Sequence, residues 1–147
     1  MSTDTVIQTE EQNVVFVIGN ESYGIDIFRV NEIIRLREIT PIPRSESHIR
    51  GLVNLRGKTI PVVDLAVRLS LSTEGDTDNT RIIVVDTEQG HVGIIVDEVR
   101  EVVTLKSEEV EATPTMVTEL SADFIRGVAK QPSGLITLLD LDLALAA

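Results

Sequence analysis

Short runs of apolar, β-branched residues alternate with turn residues over most of the chain. Val14 to Ile18 ends at a Gly-Asn pair, and Tyr23 to Ile27 alternates apolar and polar positions as a returning strand does. Runs of this length, bounded by glycine or asparagine, predict β-strands that are joined in hairpins. The pattern therefore predicts a mainly β fold.

A second hairpin and two short helices are indicated further along the chain. Ile49 to Leu55 and Thr59 to Val63 flank an Arg-Gly-Lys turn at residues 56–58, with glycine at its centre. Asp64 and Asp140 each stand directly before a short run in which apolar residues predominate. Aspartate is a favoured helix N-cap, so both runs are predicted to be short helices.

The same order of blocks occurs twice. Gly24 to Leu36 aligns with Gly93 to Leu105, with five identical residues in thirteen positions and three exchanges of Ile for Val. The Ile-Arg-Gly sequence at residues 49–51 appears again at residues 125–127. The offset is 69 residues in the early block and 76 in the later ones. Blocks in one order favour an internal repeat over chance similarity between β-rich stretches.

The repeat divides the chain into a flexible tail at residues 1–12, a first half at 13–72, a polar linker at 73–80 and a second half at 81–147. Short antiparallel strands at this spacing predict small barrels. A unit of roughly 60 residues is marginal as an isolated core. We therefore expect two packed β-barrels of about five strands each, with a shared apolar interface and a C-terminal helix over an open end.

Composition excludes several classes of function. The 147 residues include no cysteine, which removes disulfides, thiolate catalysis and cysteine-type zinc sites. A net charge of −11 disfavours a nucleic-acid binder. No apolar run approaches the roughly 20 residues of a membrane span. The N-terminus also lacks the basic and apolar segments of a secretory signal.

Positive charge is concentrated in one segment. Residues 29–68 hold eight of the thirteen cations and four acids, so this segment is +4 and the remainder is −15. These are either ordinary surface charges on an acidic protein or a mildly basic patch that meets an acidic or polar partner.

The chemistry of the chain predicts neither catalysis nor a metal or cofactor. His48 and His91 lie in different halves beside turns, which favours surface positions over roles as base or ligand. Asp64 and Asp140 are repeat counterparts, and the N-cap interpretation explains them without acid–base work. No phosphate-binding glycine motif is present in the sequence.

The most informative difference between the halves is a single arginine. Asn54 and Arg56 occur in the first half, whereas Pro132 stands at the position equivalent to Arg56. Glu32, by contrast, has a counterpart in Glu101. A residue present in only one copy of a repeat is not required to build the fold. Arg56 therefore either has a functional role or anchors its own hairpin to Glu32.

Gly51 to Leu65 resembles the signature of CheW, the family of bacterial chemotaxis coupling proteins. Tyr23 to Ile33 and Val92 to Asp97 are similar to other blocks of that family. The resemblance extends from about Val14 to Leu143. It implies two packed five-stranded SH3-like barrels, with no enzymatic activity and no cofactor.

The resemblance also implies a function. It predicts a cytoplasmic adaptor that binds the cytoplasmic tip of methyl-accepting chemoreceptors and the regulatory domain of the histidine kinase CheA. Such an adaptor is recruited to membrane-associated receptor arrays without inserting into the membrane. The residues implied to lie in or beside a receptor-binding groove between the barrels are Val30, Glu32, Asn54, Arg56, Gly57 and Val102.

The sequence leaves two other classes of function open. One is a β-barrel that binds a small ligand between the halves and regulates an enzyme. The other is a hydrolase that uses Asp or Glu, which is weaker because the sequence offers no nucleophile and base pair. An adaptor should have an open groove with apolar walls, whereas a ligand site should be a closed pocket with convergent polar groups.

Overall fold

A computed structural model of the chain describes residues 10–73, 75–111 and 124–145. The strands are β1 Glu10–Ile18, β2 Glu21–Asp26, β3 Val30–Arg35, β4 Ile49–Leu55, β5 Lys58–Asp64, β6 Arg81–Thr87, β7 Gly90–Val96, β8 Glu98–Lys106, β9 Val110–Glu111, β10 Ile125–Gln131 and β11 Gly134–Leu139. The α-helices are α1 Leu65–Arg68 and α2 Leu141–Ala144, and 3-10 turns lie at Ile27–Arg29 and Ser107–Glu109.

These strands form two sheets. Sheet I has the order β9-β10-β11-β2-β1-β8, and sheet II has the order β3-β6-β7-β5-β4. Neighbouring strands are antiparallel except for β11 with β2 in sheet I and β5 with β7 in sheet II. The predicted mainly β class with two SH3-like barrels is confirmed, and the two-residue strand β9 adds a sixth strand to sheet I.

Each sheet combines strands from both halves of the repeat. The first hairpin, β1–β2, joins β8–β11 in sheet I, while β6–β7 join β3–β5 in sheet II. The chain changes sheet at the 3-10 turn Ile27–Arg29 and again at Asp97. The boundaries at 13–72 and 81–147 therefore mark the repeat but do not coincide with the sheets.

The two parallel strand pairs show that the repeat is structural. Leu138 pairs with Gly24 in sheet I, and its counterpart Val62 pairs with Gly93 in sheet II. A Cβ atom on Gly24 would lie 2.9 Å from Leu138 Cδ2, and one on Gly93 would lie 2.8 Å from Ile82 Cγ2. Glycine at both positions lets the sheets pack closely, which explains why both copies contain it.

Three apolar clusters form the core. One contains residues of both sheets and both α-helices, and it is the shared interface between the barrels. The second lies in sheet II and the third in sheet I. In β6, Ile83 and Val85 contribute to the shared cluster while Ile82 and Val84 contribute to that of sheet II. The alternating side chains of β6 are thus buried on both faces, and the predicted shared interface is confirmed.

The structure differs from the predicted boundaries at the N-terminal tail. The tail was predicted to include residues 10–12, but these residues extend β1, and Glu10 pairs with Lys106 of β8. Long-range pairing, rather than local apolar pattern, makes this polar segment a strand. Residues 1–9 lie outside the described part of the chain. Between α1 and β6, residues 73 and 75–80 lie in a loop, and Glu74 is not described.

Both predicted helices are present with their N-caps. The Asp64 carboxylate accepts a hydrogen bond from Val67 N at 3.3 Å, and the Asp140 carboxylate accepts one from Leu143 N at 3.1 Å. Leu141 and Ala144 of α2 are buried in the shared cluster. Within residues 10–73, 75–111 and 124–145, no helix is long and apolar enough to cross a membrane.

Candidate protein-binding site

A two-residue turn between β4 and β5 presents Arg56 to solvent. Leu55 pairs with Lys58, and the two residues between them have positive φ angles, 51° at Arg56 and 82° at Gly57. This is the type I′ geometry that matches the twist of a hairpin. Asn54 Oδ1 accepts a hydrogen bond from Gly57 N at 3.1 Å and so fixes the turn. The Arg56 side chain is 74% exposed.

Arg56 forms a two-pronged ion pair with Glu32. Arg56 Nη1 donates to Glu32 Oε2 at 2.5 Å, and Arg56 Nη2 donates to Glu32 Oε1 at 3.1 Å. The planar guanidinium fork matches a carboxylate in this way. The predicted contact between Arg56 and Glu32 is therefore confirmed.

The Arg56–Glu32 pair joins the two edge strands of sheet II. Glu32 lies on β3 and Arg56 directly follows β4, the first and last strands in the sheet order. Arg37 Nη1 also donates to the Asn54 carbonyl at 3.3 Å, and Thr40 forms an isolated β-bridge with Leu52. These contacts link the chain after β3 to β4. The exposed arginine is thus located where the open sheet curls back on itself.

The two valines of the predicted site belong to different sheets. Val30 starts β3, pairs with Val85 and packs against the shared cluster. A bulge separates it from Glu32. Val102 lies on β8, the edge strand of sheet I, where it pairs with Val14 and is 49% exposed. Hydrogen bonds connect Arg56 with Glu32 and Gly57 with Asn54. A groove that these residues share with Val102 remains a prediction.

The sequence interpretation did not single out Phe28, which is 85% exposed in the 3-10 turn between β2 and β3. The repeat contains a signal that could have identified it. Its counterpart is Asp97, so the fold does not require an apolar residue at this position.

Other charged groups have local structural partners. Arg50 donates to Asp64 at 3.3 Å and to Asp76 at 2.8 Å, which ties the linker to β4. The hydrogen bond that Arg50 donates to the Asp76 carboxylate is the main cause that raises the pKa of Arg50 above its ordinary value.

Both histidines pair with neighbouring carboxylates. His91 Nε2 lies 2.7 Å from Asp86 Oδ1, and His48 Nδ1 lies 3.5 Å from Glu46 Oε2. Among the residues that the structure describes, no group of three or more His, Asp or Glu side chains is placed to hold a metal ion.

Two packed sheets built from an internal repeat place the chain in the class of duplicated SH3-like β-barrel domains. A sequence model of the CheW-like domain matches residues 12–147. The chemotaxis protein CheW of Bacillus subtilis is 35% identical over 139 residues, which cover 95% of this chain and 89% of that protein. CheW of Treponema pallidum is 33% identical over 134 residues, covering 88% and 79%.

A solved structure agrees with these sequence relatives. The scaffolding protein TtCheW from Thermoanaerobacter tengcongensis is similar with a TM-score of 0.86 and 36% identity, over 95% of this chain and 90% of that one. The chain belongs to the CheW-like domain family. It has the chemotaxis adaptor or scaffold function of that family, and the comparisons do not support the small-ligand alternative.

Proposed function

We propose that this chain couples the cytoplasmic tip of methyl-accepting chemoreceptors to the regulatory domain of CheA. Family membership supports the chemotaxis context, and the resemblance of residues 51–65 to the CheW signature supports the choice of partners. The chain acts in the cytoplasm, is recruited to receptor arrays without membrane insertion, and has no substrate and no catalytic step.

The receptor contacts the exposed Arg56 turn. The observation that carries this proposal is the exposed, two-pronged Arg56–Glu32 pair in a turn whose repeat counterpart has Pro132. A helix that lies in a groove requires an apolar floor and a few polar anchors. Val30 and Val102 contribute to the floor, whereas Glu32, Asn54, Arg56 and Gly57 form the polar edge.

The kinase binds at a separate surface. By the resemblance, the CheA regulatory domain has the same fold, so the two proteins can join barrel to barrel in a pseudo-symmetric manner. Such a heterologous contact can extend into rings or arrays. Loss of the kinase contact should leave receptor binding intact. If every variant that loses the kinase also loses the receptor, the two surfaces are not distinct and the bridging model is wrong.

Co-sedimentation tests the coupling directly. The purified chain is mixed with CheA and with membranes that contain chemoreceptors, and parallel samples omit one component at a time. We expect the chain to sediment with receptor membranes and to increase the amount of CheA in the pellet. The matched control uses membranes without receptors. A chain that stays in the supernatant with receptor membranes, or that sediments without recruiting CheA, would contradict the proposal.

A further inference from the structure

Two arginines lie opposite each other on neighbouring strands of sheet II. Arg35 of β3 and Arg81 of β6 are Cα partners in the antiparallel ladder. The side chains of directly opposite residues lie on one face with Cβ atoms about 5 Å apart, so like charges in such a pair lower stability. Within residues 10–73, 75–111 and 124–145, neither arginine forms an ion pair with a carboxylate.

The repeat shows that the fold does not require this pair. The offset of 69 residues relates Arg35 to Thr104 and Arg81 to Gln12. Thr104 and Gln12 are also Cα partners, at the same place in the ladder between β8 and β1 of sheet I. The equivalent position in the other sheet therefore has two uncharged residues. Because the two arginines repel each other and are not needed for strand pairing, the fold does not explain their presence.

The loop before β6 orients the Arg81 side chain. Arg81 Nη1 donates to the backbone carbonyls of Asp78 and Thr80, both at 2.9 Å. The loop itself is closed by two hydrogen bonds, from Thr77 N to Thr80 Oγ1 at 2.8 Å and from Thr80 N to the Thr77 carbonyl at 3.1 Å. Arg81 Nε and Nη2 make no hydrogen bond to the described part of the chain, so they are available to a ligand.

Both arginines line a cleft with a volume of about 560 Å³. Its other lining residues are Leu36, Thr77, Asp78 and Thr80. Two arginines and one aspartate give the lining a charge of +1, although the whole chain has a net charge of −11. Ile33, two residues before Arg35, lies on the same face of β3 and is 41% exposed. The cleft thus combines donors for an anion with an adjacent apolar contact.

We propose that this cleft, between β3 and the loop before β6, binds an acidic segment of a partner protein. Arg35 and Arg81 hold a carboxylate of the segment, and a neighbouring apolar side chain packs against Ile33. The guanidinium fork matches the planar carboxylate and forms charge-assisted hydrogen bonds with it. Glu32 lies on the opposite face of β3 from Arg35, so this proposal does not rest on the Arg56–Glu32 pair or on the proposed receptor site.

The exposed isoleucine and the net charge favour this occupant over three others. A free inorganic anion would leave Ile33 exposed to water. A nucleic acid is repelled at low salt by a chain with a net charge of −11, and so is a second copy of this chain. A protein segment that carries an acidic residue beside an apolar one contacts both arginines and the isoleucine.

The probe for this proposal is a capped synthetic peptide, Ser-Glu-Glu-Val-Glu, chosen for its composition. It is titrated to millimolar concentration into the ¹⁵N-labelled full chain at low salt, and amide shifts are followed by NMR. We expect saturable shifts at Ile33, Arg35 and Arg81. The matched peptide Ser-Gln-Gln-Val-Gln lacks the carboxylates and should bind about tenfold more weakly or worse, because hydrogen bonds to charged groups are the stronger ones.

Four protein variants complete the binding test. Arg35→Thr and Arg81→Gln introduce the residues found in sheet I, and each should weaken the acidic peptide about tenfold. Asp78→Asn removes a carboxylate from the cleft but keeps the backbone carbonyl that binds Arg81, so it should strengthen binding several-fold at low salt. Arg100→Gln changes an exposed arginine of β8 and should leave binding unchanged.

Urea denaturation separates binding from a structural role. Arg35→Thr should have a midpoint at or above that of the parent, because it relieves the repulsion between the arginines. A larger loss of stability in Arg35→Thr than in Arg100→Gln would show that Arg35 is structural and overturn the proposal. Absence of shifts with the acidic peptide, or shifts unchanged by Arg35→Thr, would overturn it as well.

Two further controls identify the occupant. Inorganic phosphate is titrated at the same ionic strength, and the chain is diluted without peptide. We expect phosphate to bind more weakly than the peptide, and the amide positions to be independent of protein concentration. Phosphate binding as tight as that of the peptide would indicate a small-anion site, and concentration-dependent shifts at Ile33, Arg35 and Arg81 would indicate a second copy. Either result would overturn the proposal.

Discussion

At the scale of single residues, the backbone conformation at Arg56 disfavours arginine, whereas the ion pair with Glu32 favours it. Its φ of 51° is unfavourable for a long side chain, and glycine, asparagine or aspartate suits this position of a type I′ turn better. The compensation within the described structure is the ion pair with Glu32, which is worth roughly 0–1 kcal/mol for so exposed an arginine. Stability alone therefore does not explain why arginine occupies this turn, and we propose that recognition of a partner does.

The repeat provides a residue-scale prediction at Gly51 and its counterpart Gly127. Gly51 has a φ of 144°, and a Cβ atom there would lie 2.1 Å from the Thr40 carbonyl oxygen. At Gly127 the nearest atom would be Val110 Cγ1 at 2.6 Å, in a side chain that can shift. Gly51→Ala should therefore cost about 3 kcal/mol of unfolding free energy and Gly127→Ala about 1–2 kcal/mol.

Urea denaturation of both glycine variants measures this difference. Gly134→Ala provides a control, because a Cβ atom at Gly134 would meet nothing within 4 Å while φ is 132°. This control isolates backbone strain from steric overlap. Equal losses in Gly51→Ala and Gly127→Ala would contradict the account of the close approach to Thr40.

At the scale of secondary structure elements, the two short helices depend on their caps. An α-helix of four residues has too few internal hydrogen bonds to be stable alone, so capping and packing hold it. Asp64 and Asp140 make the same cap, but Asp64 also accepts from Arg50, which binds Asp76 of the linker. The ion pairs of Arg50 with Asp64 and Asp76 thus connect the first helix to the linker.

Alanine substitution of the caps tests this coupling. Each of Asp64→Ala and Asp140→Ala should cost about 1 kcal/mol for the lost cap. Asp64→Ala should cost a few tenths of a kcal/mol more at low salt, because Arg50 loses one of its two acidic partners. The check is the urea midpoint at two salt concentrations. A larger loss in Asp140→Ala, or a difference that grows with salt, would contradict the assignment.

At the scale of the whole molecule, the exchange of hairpins makes the two halves interdependent. Neither the first nor the second half of the repeat contains all strands of one sheet. Residues 30–96, by contrast, contain the five strands of sheet II. The foldable unit of this chain is therefore offset from the repeat unit, and the shared core cluster joins the two sheets.

Fragments of the chain test this organisation. Fragments 1–74 and 75–147 should each lack a cooperative thermal transition and should regain one when mixed. Fragment 30–96 should retain strand content alone, although it exposes its part of the shared cluster. Circular dichroism and NMR measure these outcomes. A cooperative melt of fragment 75–147 by itself would show that the repeat unit folds without exchange.

The sequence predicted the hairpins, the helix caps and the repeat, but it did not predict which strands share a sheet. Hairpins, the caps at Asp64 and Asp140, and the repeat follow from short-range patterns, and all are present. The exchange of hairpins was not predictable, because counterparts such as Gly24 and Gly93 would make equivalent contacts in either sheet. A hairpin that fits either sheet has no local sequence feature that determines which sheet it joins. The same is true of identical elements that are exchanged between protomers in domain swapping.

The candidate site was predictable at positions where the two copies of the repeat carry different residues. Arg56 and Glu32 were paired on the basis of a comparison with Pro132 and Glu101, and the contact is present. Phe28 was missed, because an apolar residue beside a strand is normally assigned to the core. Its exposure depends on the chain changing sheet at the 3-10 turn, which is a tertiary feature.

We propose that Arg56 serves receptor recognition more than stability, and a paired measurement on Arg56→Asn separates the two effects. Asparagine suits a type I′ turn before glycine, so the hairpin is kept while the ion pair is lost. Arg56→Ala also removes the ion pair, but alanine lacks the preference of asparagine for this turn conformation. Arg126→Ala provides the control, because Arg126 makes a similar two-pronged pair with Glu11 in sheet I.

Thermal melting and binding to receptor-containing membranes are measured on the same preparations. For Arg56→Asn, we expect a melting temperature within a few degrees of the parent and roughly thirtyfold weaker receptor binding, because an interface arginine is worth about 2 kcal/mol. Arg126→Ala should lower stability and leave receptor binding unchanged. A large fall in melting temperature for Arg56→Asn, with the remaining folded protein binding normally, would show that Arg56 is structural and contradict the account.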